Sequence, residues 1–451
     1  VSFFLTKVLA ALDDGGDRPL FIQDGVTTYH QARDRLRRLH GGLGGTGTVA
    51  IDLRNRPETV LVQLAALLRG ATALMVPASA PTRDRLAAAT GATVVTDRPH
   101  AWPAGDVRTL DDLDGEPEPL HPPETVRLLF PTGGTTGTPK LIRHSGIYDG
   151  MAYLFTPSPD GPGRTLLVAP MTHMTGNATV LGTLLRQDTL VIHDGFDAEA
   201  VLGAIEEHRI DTLSLTPPRL AAVLDHPARK STDLSSVRSL SLGAAPLPPH
   251  RLAQALDVFG PVVGQGYGLT EAPMIASISA AELIDRPERL GSVGRIVPGM
   301  EARITADGEV EVRGLSMMDG YLGGPEIGAG WLRTGDLGRF DDEGYLYLLD
   351  RADDIAVVGE HGTKVPTTVV EHALETHPAV RSAAVFGRGD RLHAVVVASG
   401  AVTEADLKAH AQDAFGQEHY VPAAVDFVDA LPLTDVGKVD KRALVQLVTA
   451  P

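Results

Sequence analysis

Apolar positions in this chain follow two periods. Val49 to Leu53, Ala71 to Val76, Val94-Val95 and Val126 to Phe130 are short apolar runs of strand length, whereas Glu58 to Leu68 and Asp84 to Ala89 repeat apolar residues at helical spacing. Alternation of this kind predicts βαβ units feeding a parallel sheet. The stretch Pro103 to Pro123, rich in Pro, Asp, Glu and Gly, reads as a surface connection within the same lobe. A second series follows, with strands at Leu166 to Ala169, Thr189 to Ile192, Thr212 to Ser214 and Ser239 to Leu242 separated by helical patterns. That α/β layer is predicted to run to about residue 275. Glu309 to Arg313 and Gly344 to Leu349 suggest a smaller β-rich part between glycine turns. After Asp353 the pattern changes to helix at Pro366 to Thr376, strands at Arg381 to Phe386 and Leu392 to Ala398, and helix at Ala405 to Ala414. The predicted fold class is α/β: a large N-terminal region of βα subdomains plus a β-rich part over residues 1–352, and a separate small α+β domain over residues 353–451.

The chain has 451 residues, more than one core usually holds, which agrees with several lobes. Lys and Arg total 40 against 57 Asp and Glu, a net charge of −17 that opposes non-specific binding to nucleic acid or anionic lipid. An anionic ligand must therefore be held by local donors. Cysteine is absent, which excludes disulfides, zinc–thiolate sites and a thiol nucleophile of the chain's own. No apolar run approaches the ~18 residues of a membrane span, and Lys7 and Asp13-Asp14 interrupt the first stretch, so a cytoplasmic protein is expected.

The densest chemistry lies at Thr132 to Lys140, TGGTTGTPK, directly after an apolar run. Glycines there free backbone N–H groups to point inward, and Thr135, Thr136 and Lys140 add donors and a positive charge, as a polyphosphate requires. The spacing departs from the P-loop, which needs Gly, four residues, then Gly-Lys-Ser/Thr. Gln265 to Glu271, QGYGLTE, combines an aromatic face, two glycines, a hydroxyl and a carboxylate that could stack a base, bond a phosphate and ligate Mg²⁺. Asp336, in Arg333-Thr334-Gly335-Asp336, could accept from ribose hydroxyls. Asp350 to Asp354 marks the lobe change, and Lys438 stands at the tip of a glycine turn in Pro432 to Lys438. Each fragment alone is also compatible with an ordinary turn.

In order, TGGTTGTPK, GAAPL at Gly243 to Leu247, YGLTE, SVGRIVPG at Ser292 to Gly299, WLRTGD, DRADD and LPLTDVGK resemble the adenylate-forming superfamily of acyl-CoA synthetases, adenylation domains and luciferases across nearly the whole chain. The match is most similar to acyl-CoA synthetases. The resemblance implies ATP-dependent adenylation of a hydrophobic carboxylic acid, then thioesterification of the acyl-AMP with coenzyme A, with ATP/AMP and Mg²⁺ as cofactors. It implies that Thr132, Gly133, Gly134, Thr135, Thr136, Gly137 and Lys140 hold the β- and γ-phosphates, and that Ala244, Ala245, Pro246, Gly266, Tyr267 and Gly268 surround the adenine. Thr270 would touch the α-phosphate, Glu271 ligate Mg²⁺, Asp336 accept from ribose, Arg351 make a further ribose or phosphate contact, and Lys438 bridge the attacking carboxylate and the α-phosphate. His173, Gly264 and Gly266 would line the acyl pocket. The small C-terminal domain would be mobile about a hinge at Asp353, bringing Gly359 and Gly362 to a coenzyme A tunnel.

Several positions depart from the family pattern. Gly133 replaces a common Ser, Leu141 a common Gly, and Asp350 the Gly usual before the arginine, while the segment from Asp354 to Glu371 is about two residues longer than typical. These departures leave two alternatives: delivery of the acyl group to an acyl carrier protein, or an enzyme that keeps only thioesterification of a preformed acyl-adenylate. Met171 to Met174 lacks the Asp that pairs with an amino-acid ammonium, which favours a simple carboxylic acid.

Overall fold

The computed structural model describes residues 1–45, 47–77, 83, 86, 91–102, 105–131, 140–359 and 362–449. Two twisted sheets stand at its centre. One has nine strands, in spatial order Arg295–Ile296, Ala276–Ile278, Val263–Tyr267, Ser239–Gly243, Thr212–Leu215, Arg164–Leu167, Thr189–Ile192, Pro19–Ile22 and Val26–Thr28. The other has seven: Gly320–Tyr321, Leu141–His144, Arg127–Pro131, Thr72–Met75, Thr48–Asp52, Thr93–Thr96 and Val107–Arg108. Both are parallel at their centres and antiparallel at one or both edges, as the βα alternation predicts.

The largest core lies between these sheets, joining Ile51 and Phe130 of one to Leu167, Leu190 and Ile192 of the other through the helices Phe3–Gly15, Tyr29–Leu43, Pro57–Leu68 and Met174–Leu185. Pro57–Leu68 buries every residue from Thr59 to Leu68. A helix sandwiched between two layers has no solvent face to keep polar. A second core covers the other face of the nine-stranded sheet with the helices Ala198–His208, Pro217–Asp225 and Pro249–Phe259.

A four-stranded antiparallel sheet, Met300–Ile304, Glu309–Gly314, Leu332–Phe340 and Leu346–Arg351, packs on Tyr267, Ala272 and Ile275. Beyond the turn Ala352–Asp354, the hairpin Ala356–Val358 and Thr363–Val365, the helices Thr367–Glu375 and Glu404–Phe415, and a three-stranded sheet share a core of their own around Val365, Val370, Leu374, Val385 and Leu407.

The two α/β layers are not consecutive in sequence. The hairpin Pro19–Thr28 joins the nine-stranded sheet, with Phe21 opposite Leu190, and Gly320–Tyr321 closes the seven-stranded sheet against Leu141–His144. The strand expected at Val262-Val263 continues to Tyr267, because Gly264 and Gly266 have ordinary backbone torsions and pair in register with Ser241 and Gly243. The connection Pro103 to Pro123 carries the edge strand Val107–Arg108 and a 3-10 turn at Asp111–Leu113. The helix expected at Asp84 to Ala89 lies largely outside the described residues.

Candidate active site

The strand Val263–Tyr267 buries Val263, Gln265 and Tyr267 on one face and turns Gly264 and Gly266 to the other. Tyr267 ends it, and its phenol donates a hydrogen bond to Asp336 Oδ2. Asp336 sits in the strand Leu332–Phe340 directly opposite Arg351, whose Nη1 donates to Asp336 Oδ1 at 3.1 Å and to the Thr334 carbonyl at 3.2 Å. Burial pushes the Asp336 carboxyl upward, and the bonds from Tyr267 and Arg351 oppose that shift. Burial and the adjacent carboxylate push the Tyr267 phenol above its ordinary range, so the proton stays on tyrosine. Asp336 thus remains an acceptor flanked by a phenol and a guanidinium.

The turn after Tyr267 is fixed by bonds from Leu269 N–H to the Ala272 carbonyl and from Ile275 N–H to the Tyr267 carbonyl, at 2.9 and 2.8 Å. Glycine is required at 268, where a Cβ would lie 2.2 Å from the Pro273 carbonyl oxygen. The Thr270 carbonyl meets His144 Nε2 at 2.7 Å. A carbonyl only accepts, so Nε2 carries the proton and the buried Nδ1 has no partner among the described residues. Burial lowers the His144 pKa and keeps this neutral form. His144 ends the strand Leu141–His144, so it ties the far end of that strand to the Thr270 turn. Thr132, Gly133, Gly134, Thr135, Thr136 and Gly137 themselves lie outside the described residues.

Glu271 Oε1 accepts from the Tyr321 hydroxyl at 3.1 Å, and the Lys140 ammonium sits over the Tyr321 ring, 4.9 Å from its centroid. Burial and Glu271 raise the Tyr321 pKa to about 12. Oε2 of Glu271 has no hydrogen-bond partner among the described residues, where no cluster of three or more His, Cys, Asp or Glu could hold a metal. That donor set fits Mg²⁺, which takes one or two carboxylates and completes its shell with phosphate oxygen and water.

At the end of Ser239–Gly243 a Cβ on Gly243 would stand 2.6 Å from the Gly266 carbonyl oxygen, so this glycine lets two strands approach. Ala244 follows with φ 67°, a left-handed conformation that costs about 1 kcal/mol or more for a residue with a side chain. Ala244 and Pro246 are exposed and Ala245 partly so.

From the C-terminal side, Gly437 N–H bonds the Thr434 carbonyl at 2.9 Å and Thr434 N–H bonds the Lys438 carbonyl at 2.8 Å, closing the turn that carries Lys438. Three residues of the large region seat it. Thr216 Oγ1 donates to the Gly437 carbonyl at 3.0 Å, Arg219 Nη2 donates to the Asp435 carbonyl at 3.2 Å, and His173 Nε2 lies 3.3 Å from Asp435 Oδ2. The bond to His173 is foremost in holding the Asp435 carboxyl below its usual range. Lys438 is reachable by solvent yet hemmed in by protein, and its pKa is lowered first by burial and then by Arg351, with Asp336 opposing. Its ammonium has no hydrogen-bond or ion-pair partner among the described residues. A cation placed beside Asp336 and Arg351 without a partner fits an anionic ligand.

The structure therefore brings Tyr267, Asp336, Arg351 and Lys438 together, with Thr270 and Glu271 on the adjoining turn. His173 precedes the helix Met174–Leu185 without a side-chain capping bond and faces Asp435. Asp353 is exposed in the 3-10 turn Ala352–Asp354. Gly359 and Gly362 bond within the C-terminal lobe, to the carbonyls of Asp390 and Gly359, rather than to this cleft. Sequence reasoning gave no role to His144, Tyr321, Thr216, Arg219 or Asp435; His144 lies four residues past Lys140 and Asp435 inside LPLTDVGK, while the other three lie outside the recognised motifs.

Residues 10–322 match the sequence profile of AMP-binding enzymes, and residues 369–438 that of the AMP-binding enzyme C-terminal domain. The chain belongs to the AMP-binding enzyme family, the adenylate-forming superfamily. A feruloyl-CoA synthase from Amycolatopsis is 32% identical over 92% of each chain. A medium/long-chain-fatty-acid–CoA ligase of Mycobacterium tuberculosis is 35% identical over 73% of this chain and 63% of its own length. Among solved structures, an amide bond synthetase from Marinactinospora thermotolerans aligns with TM-score 0.85 and 31% identity, covering 99% of this chain and 100% of its own. The O-succinylbenzoate coenzyme A synthetase of Bacillus subtilis in complex with AMP aligns with TM-score 0.84 and 26% identity over 97% of each chain.

Proposed function

We propose that this chain is an AMP-forming acyl-CoA ligase acting on a hydrophobic carboxylic acid. The observation that carries the reading is the Lys438 ammonium, without a partner among the described residues, beside Asp336 and Arg351 in a cleft between two lobes. Attack of a carboxylate on the α-phosphorus of ATP forms an acyl–phosphate bond as the bond to pyrophosphate breaks. Two anions meet, and negative charge grows on the α-phosphoryl oxygens. Lys438 is the local cation that offsets it. Asp336 accepts from ribose, Tyr267 and the segment Ala244-Ala245-Pro246 hold adenine, and Thr270 contacts the α-phosphate. Glu271 would hold Mg²⁺, which supplies charge neutralisation when bound. Thr132 to Lys140 would cradle the outer phosphates, and Gly359 and Gly362 would meet coenzyme A after rotation about Asp353 of the domain 353–451 relative to 1–352.

The acyl side is the flat face around Gly264 and Gly266. A Cβ at Gly266 would meet nothing nearer than Met274 Sδ at 3.9 Å, and neither glycine needs a left-handed backbone. Gly264 and Gly266 pair with Ser241 and Ser277, a floor of small residues that suits a broad, planar acid. Relatives named for feruloyl and succinylbenzoyl substrates agree with this shape. A cytoplasmic setting, where ATP and coenzyme A are plentiful, goes with the reading.

A second reading, transfer to an amine, is favoured by the 31% identity to an amide bond synthetase over the full length of that chain. Carboxylate-dependent ATP–pyrophosphate exchange with a panel of aryl and fatty acids tests the first half-reaction. Supplying the acyl-adenylate with coenzyme A, an acyl carrier protein or amines then identifies the acceptor. Absence of exchange with every acid, together with no turnover of acyl-adenylates, overturns the reading.

A further inference from the structure

Asp350 and Arg351 end one strand of the large region and send their side chains to different tasks. Arg351 reaches Asp336, whereas Asp350 is buried and crosses to the C-terminal lobe. There its Oδ2 accepts from Thr367 Oγ1 at 3.1 Å and Thr368 N–H at 3.2 Å, and its Oδ1 accepts from Thr368 Oγ1 at 3.0 Å. Thr367 and Thr368 are themselves buried and open the helix Thr367–Glu375. That helix needs a cap from elsewhere, since its own N-cap residue is Pro366, which offers no side-chain hydrogen bond. Asp350 supplies an acceptor and a negative charge at the positive end of the helix. From the C-terminal end of the chain, Lys441 Nζ donates to Thr367 Oγ1 at 2.9 Å and pairs with Glu371 at 2.9 Å, which fixes the same helix terminus.

These bonds span the exposed turn Ala352–Asp354, with the donor helix on one side and the carboxylate on the other. Any rotation at that turn must break them and leave a buried carboxylate without its donors. We propose that Asp350 is a positioning residue that holds the C-terminal lobe in the orientation that seats Lys438 beside Asp336, so that it favours acyl-adenylate formation and retards the swing to the second half-reaction. The inference rests on the proposed ligase reading. Because Asp350 and Arg351 are neighbours on one strand, lobe orientation and the ribose site are coupled through a single peptide unit.

Two measurements test it, and one does not depend on activity. The chain has no cysteine, so Glu207→Cys and Asp413→Cys, both at exposed positions, allow paired spin labels on the two lobes. Pulsed electron resonance on the labelled full chain should give one narrow distance, and Asp350→Gly should add a second population. In single-turnover assays Asp350→Gly should slow adenylation about tenfold or more, as expected for lost hydrogen bonds to a charged group. Acyl transfer from supplied acyl-adenylate should hold or rise. Thr368→Val, which removes one donor from the opposite lobe, should move both readouts the same way and less. An unchanged distance distribution in Asp350→Gly, or an equal fall in both half-reactions, overturns the proposal even where the wild-type enzyme is a proven ligase. Wild-type protein with neither pyrophosphate exchange nor turnover of acyl-adenylates overturns the parent reading, while the distance measurement still decides this one.

Discussion

Lys438 carries the largest single expectation. Removing one preorganised donor to developing oxyanion charge costs about 10²–10³-fold. Lys438→Ala should therefore lose pyrophosphate exchange by that factor and retain binding of an acyl-adenylate analogue by calorimetry. Its pKa is lowered, so the cation is lost as pH rises through a value below the usual lysine range. The alkaline limb of the exchange rate should accordingly begin early, and Lys438→Arg, whose guanidinium stays protonated, should abolish that limb in the activity that remains. Tyr321 makes a second test. Tyr321→Phe keeps the ring under Lys140 and deletes the hydrogen bond to Glu271, so the Mg²⁺ concentration for half-maximal exchange should rise by about tenfold or more. An unchanged Mg²⁺ titration would remove Glu271 from the metal site.

Strands and turns were legible in the sequence wherever chemistry and backbone geometry coincide. Tyr267 and Glu271 stand in a motif whose Gly268 marks a turn, and that turn forms, whereas Gly335 and Asp336 continue the strand Leu332–Phe340. A Cβ at Gly268 or Gly335 would strike the Pro273 carbonyl or the Arg351 guanidinium. Residues that act by docking were not legible: Thr216 and Arg219 lie in ordinary loop and helix sequence, Asp435 stands in the terminal motif with no role of its own, and only the meeting of two lobes gives them partners. The helices Phe3–Gly15 and Tyr29–Leu43 also escaped notice, although Thr28 and Gln31 form a capping box at the start of the second. Paired glycines give the test at this scale. Gly243→Ala overpacks against the Gly266 carbonyl and should lower stability by about 1–3 kcal/mol in thermal unfolding, whereas Gly266→Ala should change it by under about 0.5 kcal/mol. Gly266→Val should instead raise KM for a planar aromatic acid and spare a short linear one. Equal effects on both acids would move the acyl pocket elsewhere.

Across the whole molecule, the contact between lobes contains titrating groups with opposing tendencies. Arg251 of the large region forms a bidentate pair with Asp225 at 2.8 and 3.0 Å and donates to the Arg381 carbonyl across the boundary at 3.1 Å. Beside it, burial raises Glu375 to about 7 and, aided by the positive field of His250, lowers His372 to about 4. A raised carboxyl gives stability that is full below its unfolded value and lost as pH climbs toward 7. A depressed histidine gives stability that is full above its unfolded value and lost as pH falls toward 4. The two slopes oppose each other over the acidic range where they overlap. His372→Gln should therefore unmask a decline in melting temperature with rising pH up to about 7. Glu375→Gln should unmask a rise over the acidic range down to about 4. Parallel profiles for both variants would show that neither group titrates as its surroundings require. The interleaved strand order bears on how the molecule is made. Phe21 must wait for Leu190, its partner in the nine-stranded sheet. Translation at about 5–20 residues per second leaves roughly ten to thirty seconds between them. During that interval the nascent hairpin has no neighbour to cover its edge, so yield in a cell should depend on chaperone supply more steeply than the finished enzyme's stability would suggest.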